Sequence, residues 1–476
     1  MIMKFILKKT TLFICLIGCC FASCKKLIEV GAPVTSINSE NVYSNDATAA
    51  AVLTGIYSRL SSNSIQAPES LTCMSFYPGL SSDELTLFKG IGDENLNLCF
   101  TNNLNSKQGF NIWRATYPMI YAINSAITGL ENSSTLTPSI KSQLLGEAKF
   151  MRALIYFYLT NLYGDVALAL TTDYSINERL ARSSQTEVYK QIVVDLKQAQ
   201  ILLNSNYLKG DILTPAEERL RPTKWAADAL LARVYLYTKD YGNAEQEATK
   251  LLSNTGMFDT VSVDKVFLKN NKEAIWQLQP VNSGWNTQDA RTFILPETGP
   301  SDAWPVFLSD FLMDRFEPGD KRRMNWTAKV TVAGIPYNYP AKYKIAVQGS
   351  AVGEYSTVLR LAEQYLIRAE ARAQQNNTTG AINDLNVIRK RAGLPLYVGA
   401  DDLGTLLTAI LQERQLELFA EWGHRWFDLK RTDTVDAVMI DVAPKKGGIW
   451  NPNWKLYPLP LTDLVLDNNL AQNSGY

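Results

Sequence analysis

The sequence predicts a mainly α-helical protein in which tetratricopeptide-like helical hairpins pack against an irregular, loop-rich half with few short strands. Three observations carry this expectation. Several long segments repeat apolar residues at the spacing of one helix face. Two of them double back on themselves, with small residues where paired helices would cross. Between about 61 and 111, and again between about 254 and 351, the period gives way to short apolar runs mixed with Gly, Pro, Asn and aromatics, the chemistry of loops and brief strands.

The 476-residue chain opens MIMKFILKKTTLFICLIGCCFASC, where Lys4, Lys8 and Lys9 precede an apolar run from Thr11 to Cys20. That is the layout of a secretory signal peptide. A run of roughly 10 residues is about half of what a helix needs to cross a ~30 Å hydrocarbon layer, so residues 1–23 are expected to be removed. Ala22 and Ser23 stand before Cys24 in an arrangement that resembles a bacterial lipobox, where the cysteine is acylated and becomes the new N-terminus. Phe21 departs from the usual leucine, and Leu16, Ile17, Gly18 and Cys19 form a rival box. Lipidation of Cys24 also accounts for the odd set Cys24, Cys73 and Cys99 left after cleavage. A disulfide between Cys73 and Cys99 and two free thiols are both compatible with the sequence. Basic and acidic residues balance at 47 each, and loss of three leader lysines leaves −3, so nothing resembles a nucleic-acid footprint. No later stretch approaches roughly 18 apolar residues, and the expectation is a chain anchored to a membrane without spanning it.

Within the mature chain, Leu144, Ala148, Met151, Ile155, Tyr158, Leu159 and Leu162 define a helix that Gly164 and Asp165 end. A second helix, EVYKQIVVDLKQAQILL, follows with Thr186 as the expected N-cap and Val188, Ile192, Leu196 and Ala199 on one face. ALLARVYLYTKDYGNAEQEATKLL reads as a helical hairpin turning at KDYGN, with Leu231, Ala232, Tyr235 and Ala244 at tetratricopeptide spacing. A similar pair runs through Leu361, Tyr365, Leu366, Ala369 and Ala373 and returns through Ala381, Leu385 and Ile388. TLLTAILQERQLELFAEWGHRWFDLKR is expected as one further long helix. These units are irregular and far apart, which suggests hairpins inside one globular unit in preference to a uniform solenoid.

Several of these segments together resemble the SusD/RagB family of outer-membrane nutrient-binding lipoproteins: AKFMRALIYFYLTNLYGDVAL, RSSQTEVYKQIVVDLKQA with ALLARVYLYTKDY, VLRLAEQYLIRAEARA with AINDLNVIRKRAG, ERQLELFAEWGHRWFDLKR, and LYPLPLTDL before NLAQNSGY. The resemblance covers nearly the whole chain in the family's order. It implies one unit over 24–476, made of an N-terminal part (24–225), a hairpin (226–253), a loop-rich insert (254–351) and a C-terminal helical part (352–476). It also implies a tetratricopeptide-like half that docks on a SusC-like TonB-dependent barrel transporter, and an irregular half that holds a glycan or, in some members, a peptide. The implied location is the outer membrane, lipid-anchored and facing outward. Lys25 and Lys26 depart from the acidic residues that often follow the lipidated cysteine of exported surface lipoproteins. A structural adaptor of a barrel, without a ligand of its own, is the alternative of a different class.

A glycan site needs flat aromatic faces for the sugar's C–H bonds and polar groups for its hydroxyls. The loop stretches supply both: Trp285 in NSGWNTQD, Trp304 in GPSDAWP, Tyr77 with Asp83 in SFYPGLSSDE, and Phe100 beside Asn102 and Asn103. Tyr156, Tyr158, Tyr235, Tyr237, Tyr365, Trp422 and Trp426 lie on helices and are assigned to packing. In FEPGDKRRMNW, Asp320 and Arg322 or Arg323 are expected to form a local ion pair. Catalysis is disfavoured. His424 is the only histidine, expected to make a structural contact, and cannot build a His-rich metal site. Asp83 with Glu84 and Asp93 with Glu94 are adjacent carboxylates, not a pair facing across a cleft. Neither a GxxxxGK[ST] nor a strand-borne GxGxxG occurs, and no cofactor is implied.

Overall fold

The computed structural model describes residues 42–67, 70–107 and 112–476, so Cys24 and the leader lie outside the described residues. Helix α1 (Asp46–Ser62) begins where Asn45 Oδ1 accepts the Ala47 amide at 2.8 Å. α2 (Ile112–Asn132) carries Pro118 in its interior. α3 (Pro138–Tyr163) is buried on every side from Gly146 to Tyr163, as befits a helix apolar nearly all round, and forms the central post of the molecule. Its interior charges are paired: Arg152 holds Asp195 through two bonds of 2.7 and 2.8 Å, and Glu147 meets Arg221 at 2.7 Å. α4 (Gln185–Leu202) is capped by Ser184, not by Thr186. Ser184 has Glu187 three residues on, and the two form a reciprocal capping box that Thr186 lacks.

The two expected hairpins form as α5 (Lys224–Tyr237) with α6 (Tyr241–Leu252) and α7 (Leu361–Gln374) with α8 (Thr378–Arg391). Their turns are built alike: one positive-φ residue, Lys239 or Asn376, precedes a capping Asp240 or Asn377. In space the pairs are neighbours. α3 packs on α4, α4 on α5, α6 on α7 and α7 on α8, so the stack is continuous although a long insert separates α6 from α7 in sequence. Arg233 of α5 and Glu363 of α7 lock the two hairpins through paired 2.6 Å bonds in the core.

The last long helix departs from expectation. It is broken into α9 (Leu403–Leu418) and α10 (His424–Arg431), followed by α11 (Val435–Lys445). Ala420, Trp422 and Gly423 take positive φ values of 52°, 45° and 75°. The turn is gripped from outside: the Ala420 amide donates to Glu84 Oε2 at 3.3 Å and the Trp422 amide to Ser75 Oγ at 3.1 Å. Gly423 suits the site because a Cβ there would come within 2.9 Å of Phe427 and 3.2 Å of Pro78.

Eight short strands occur among the described residues, β1 (Leu85–Leu87), β2 (Val166–Ala167), β3 (Arg182–Ser183), β4 (Ala274–Leu278), β5 (Val306–Leu308), β6 (Thr327–Val332), β7 (Ile335–Pro340) and β8 (Ser356–Arg360), and all but the β2–β3 pair, which links α3 to α4, organise the irregular half. β4 pairs antiparallel with β8 and closes the insert at its base. β1 pairs with β5, Leu85 opposite Leu308, which joins the two loop-rich stretches to each other. β6 and β7 form a hairpin through Ala333 and Gly334, both at positive φ, and β7 packs on β5.

Where insert, β8 and α9 meet, a buried ion network replaces apolar packing. Arg360 bonds Glu417 (2.5 Å), Glu421 (2.7 Å) and Glu273 (3.1 Å), while Arg391 bridges Glu273 and Glu417. Arg322 pairs with Asp320 at 2.8 Å, the local pair expected, and also reaches Glu417 at 3.1 Å. Burial alone would raise the Glu417 carboxyl, but Arg391, Arg360 and Arg322 together hold it far below the usual range. Cys73 and Cys99 are both buried free thiols.

Candidate functional site

The residues expected to touch a ligand separate into two groups. Tyr77 is 3% exposed and its hydroxyl donates to the Gln66 carbonyl at 2.9 Å. Asp83, 4% exposed, is held by Arg425 through two 2.7 Å bonds. Burial pushes its carboxyl up, but the Arg425 charge and hydrogen bonds outweigh this and keep it below the ordinary range. Asn102, at φ 55°, donates to the Ser81 carbonyl at 2.8 Å and accepts from Lys446. These three are interior framework with their polar groups engaged. Their Gly- and Ser-rich setting reads as loop, whereas the α9–α10 turn and its neighbours enclose it. Phe100 is partly buried beneath the Lys446 ammonium, 4.9 Å from its ring centroid, and does not join the tryptophans. The adjacent Glu84 is pushed to about 8, by burial first and by the Asp83 charge second.

Trp285 and Trp304, by contrast, are brought together at the partly exposed face of the insert. Thr287 caps the short helix Gln288–Phe293, and this places Arg291 between them. The Arg291 guanidinium lies 4.6 Å from the Trp285 ring centroid, and Trp304 Nε1 donates to the Arg291 carbonyl at 3.1 Å. Trp304 is fixed further by reciprocal backbone bonds with Ser301 (3.0 and 3.1 Å), and Gln66 holds the Ala303 carbonyl at 3.2 Å. Beside it the β1–β5 and β6–β7 pairs present a second aromatic group. The Tyr337 ring meets Phe88 at 5.8 Å and Phe307 at 5.1 Å, both edge-on. Sequence reasoning missed Phe88, Phe307, Tyr337 and Arg291. The available signal was the alternation of LTLF, PVFL and IPYNY, whose aromatics converge only once the strands pair. On the same short helix, burial pushes the Asp289 carboxyl to about 7, and Gln288 Oε1 is buried without a donor among the described residues.

This arrangement offers flat rings, a guanidinium and amide groups on rigid backbone, which suits stacking and hydrogen bonding. No group of three or more His, Cys, Asp or Glu side chains is disposed to hold a metal among the described residues. His424 is buried, and burial together with the surrounding Arg233, Arg414 and Arg360 keeps its imidazole neutral, far below the usual value.

Comparison with known proteins bears on the whole framework. Residues 316–476 match the SusD family profile, and residues 31–236 match a profile described as starch-binding associating with outer membrane. SusD-like protein P25 of Formosa agariphila is 25% identical over 98% of each chain. The starch-binding protein SusD of Bacteroides thetaiotaomicron is 23% identical over 73% of this chain and 75% of its own. Among solved structures, a SusD superfamily protein of Bacteroides vulgatus superposes with a TM-score of 0.79 at 20% identity, covering 91% of this chain and all of that one. A laminarin-binding SusD-like protein gives 0.74 at 23% identity, again covering 91% of this chain and all of its own. With the two profiles spanning the N-terminal helices, α7–α11 and the C-terminus, and with relatives and folds agreeing along its length, this chain belongs to the SusD/RagB family.

Proposed function

We propose that this protein is a non-enzymatic glycan receptor of the outer membrane, anchored by a lipid on Cys24 and facing outward, that passes oligosaccharide to a SusC-like TonB-dependent transporter. The observation that carries the reading is the Trp285–Arg291–Trp304 grouping, mounted on paired backbone elements of the insert. Its ring faces suit the C–H faces of a pyranose, and Arg291 supplies donors for ring-edge hydroxyls. The starch-binding and laminarin-binding proteins among its relatives and structural neighbours support the ligand class. The helical stack of α3 to α8 is the surface assigned to the transporter, and the insert 254–351 is the part assigned to the ligand.

Calorimetry of the purified mature chain against a panel of α- and β-glucan, xylan, mannan and galactan oligosaccharides tests the capture step. Binding to at least one is expected. Trp285→Ala and Trp304→Ala should each weaken it by about tenfold, from lost stacking area and aromatic geometry. Absence of glycan binding together with binding of oligopeptides would replace this reading with a peptide receptor. A co-purified barrel with no ligand response would leave a structural adaptor.

A further inference from the structure

Trp113, Tyr117 and Tyr121 recur every four residues along α2, so they stand in a row on one helix face, about 6 Å apart. The row opens onto a cleft of about 400 Å³ whose opposite wall carries Asn177, Asp463 and Asp467. That volume lies within the range of small-molecule sites. Exposure grows along the row: Trp113 is 3% exposed, Tyr117 is intermediate and Tyr121 is 56% exposed.

The base of the row is rigid. Trp113 sits 4.9 Å from the Tyr117 ring and is braced edge-on by Tyr163 at 5.4 Å. Tyr117 donates its hydroxyl to the Ala167 carbonyl at 2.9 Å, which fixes the ring and leaves its face toward the cleft as the usable surface. Pro118 lacks an amide hydrogen and cannot donate the usual helical bond to the Arg114 carbonyl one turn earlier. Across the gap, Asn177 donates to the Thr171 carbonyl at 2.8 Å, while its Oδ1 is buried and accepts nothing among the described residues.

We propose that this cleft is a second carbohydrate subsite, sharing no residue with the Trp285–Trp304 face. A neutral sugar ring would stack on Tyr121 and Tyr117, with its hydroxyls bonded to Asp463 and Asp467. The mixed signs of Arg114 and the two carboxylates disfavour an anionic ligand and suit a polyhydroxylated one. The ladder-like aromatic spacing fits successive rings of one chain. This inference rests on the glycan-receptor reading, and the two can fail separately.

The test is calorimetry of the full mature chain with maltoheptaose, laminarihexaose and the wider oligosaccharide panel, on the wild type, Tyr121→Ala, Tyr121→Phe, Trp304→Ala and the Tyr121→Ala/Trp304→Ala double variant. Two binding events are expected in the wild type for at least one probe. Trp304→Ala should retain the second, Tyr121→Ala should weaken that one about five- to tenfold, and Tyr121→Phe should preserve it because the ring face remains. Tyr121 is exposed, so an unchanged melting temperature in Tyr121→Ala separates lost binding from lost fold. A single event abolished by Trp304→Ala and indifferent to Tyr121→Ala overturns the second subsite and leaves the receptor reading intact. If no glycan binds the wild type at all, both fall.

Discussion

Asp83 separates a ligand contact from a structural one, and Asp83→Asn decides between them. Asp83 and Arg425 side chains are 4% and 12% exposed and share two 2.7 Å bonds, with Gln415 adding a third contact at 3.3 Å. Neutralising one partner strands a largely buried guanidinium, a change that typically costs about 3–5 kcal/mol. An unfolding entropy of about 2.1 cal/mol/K per residue over the roughly 450 residues that follow the leader amounts to about 0.95 kcal/mol/K, so the melting temperature should fall by about 3–5 °C. Scanning calorimetry measures that shift directly. The Asp83 carboxyl is depressed in the fold, so its contribution is intact above the ordinary aspartate range and fades as pH falls below it. In Asp83→Asn this acid-side loss should be smaller. Pairing Asp83→Asn with Arg425→Gln should recover part of the stability by removing the stranded charge. An unchanged melting temperature combined with weakened glycan binding would refute the structural assignment.

Two further outcomes follow from the same junction. Glu84 is raised to about 8 from 4.5, so it favours the fold fully below its unfolded value and progressively less as pH climbs to 8. Glu84→Gln should therefore flatten the decline in stability between about pH 5 and 8, a slope of up to about 1.4 kcal/mol per pH unit for one group, read from urea unfolding at several pH values. Gly423→Ala should destabilise by more than about 1 kcal/mol, because φ of 75° is strained for alanine and its Cβ would press on Phe427 and Pro78. A melting temperature at or above wild type would contradict the role given to that turn.

The helical framework was legible because its period is local. Leu144, Ala148, Met151 and Ile155 sit on α3 at 0% exposure, and Leu231, Ala232 and Ala244 pack the first hairpin as their spacing required. Tyr156, Tyr158 and Trp426 are core, as assigned, since a helix in the interior has no polar face to give them. The α9–α10 break was not legible. FAEWG keeps helical composition, and the contacts that bend it come from Glu84 and Ser75, 336 and 347 residues away in sequence. The same distance explains Asp83 and Asn102: a Ser- and Gly-rich segment looks solvated until Arg425 and Lys446 arrive from the far end of the chain. At the candidate site, Trp285 and Trp304 could be singled out by their loop setting. Phe88 and Tyr337 could not, because strand pairing alone makes them neighbours. The aromatic row on α2, WRATYPMIY, was not singled out from the sequence, because nothing in a four-residue repeat of rings tells core from surface and only the fold places Tyr121 outside.

The pairing of β1 with β5 bears on how the insert could be exchanged for another. β4 and β8 close residues 279–355 into a loop outside the stack of α6 on α7, so that stack does not depend on the segment, although Arg322 ties it to Glu417 of α9. Yet its inner strand is hydrogen-bonded to Leu85–Leu87, a segment encoded far upstream. A transplanted insert would meet a foreign edge there, with its register set by a partner it did not evolve beside. Under the proposed placement of the ligand, the two segments must travel together, and a graft that carries residues 85–87 and their flanks along with the insert is the one whose loops should arrive correctly aligned.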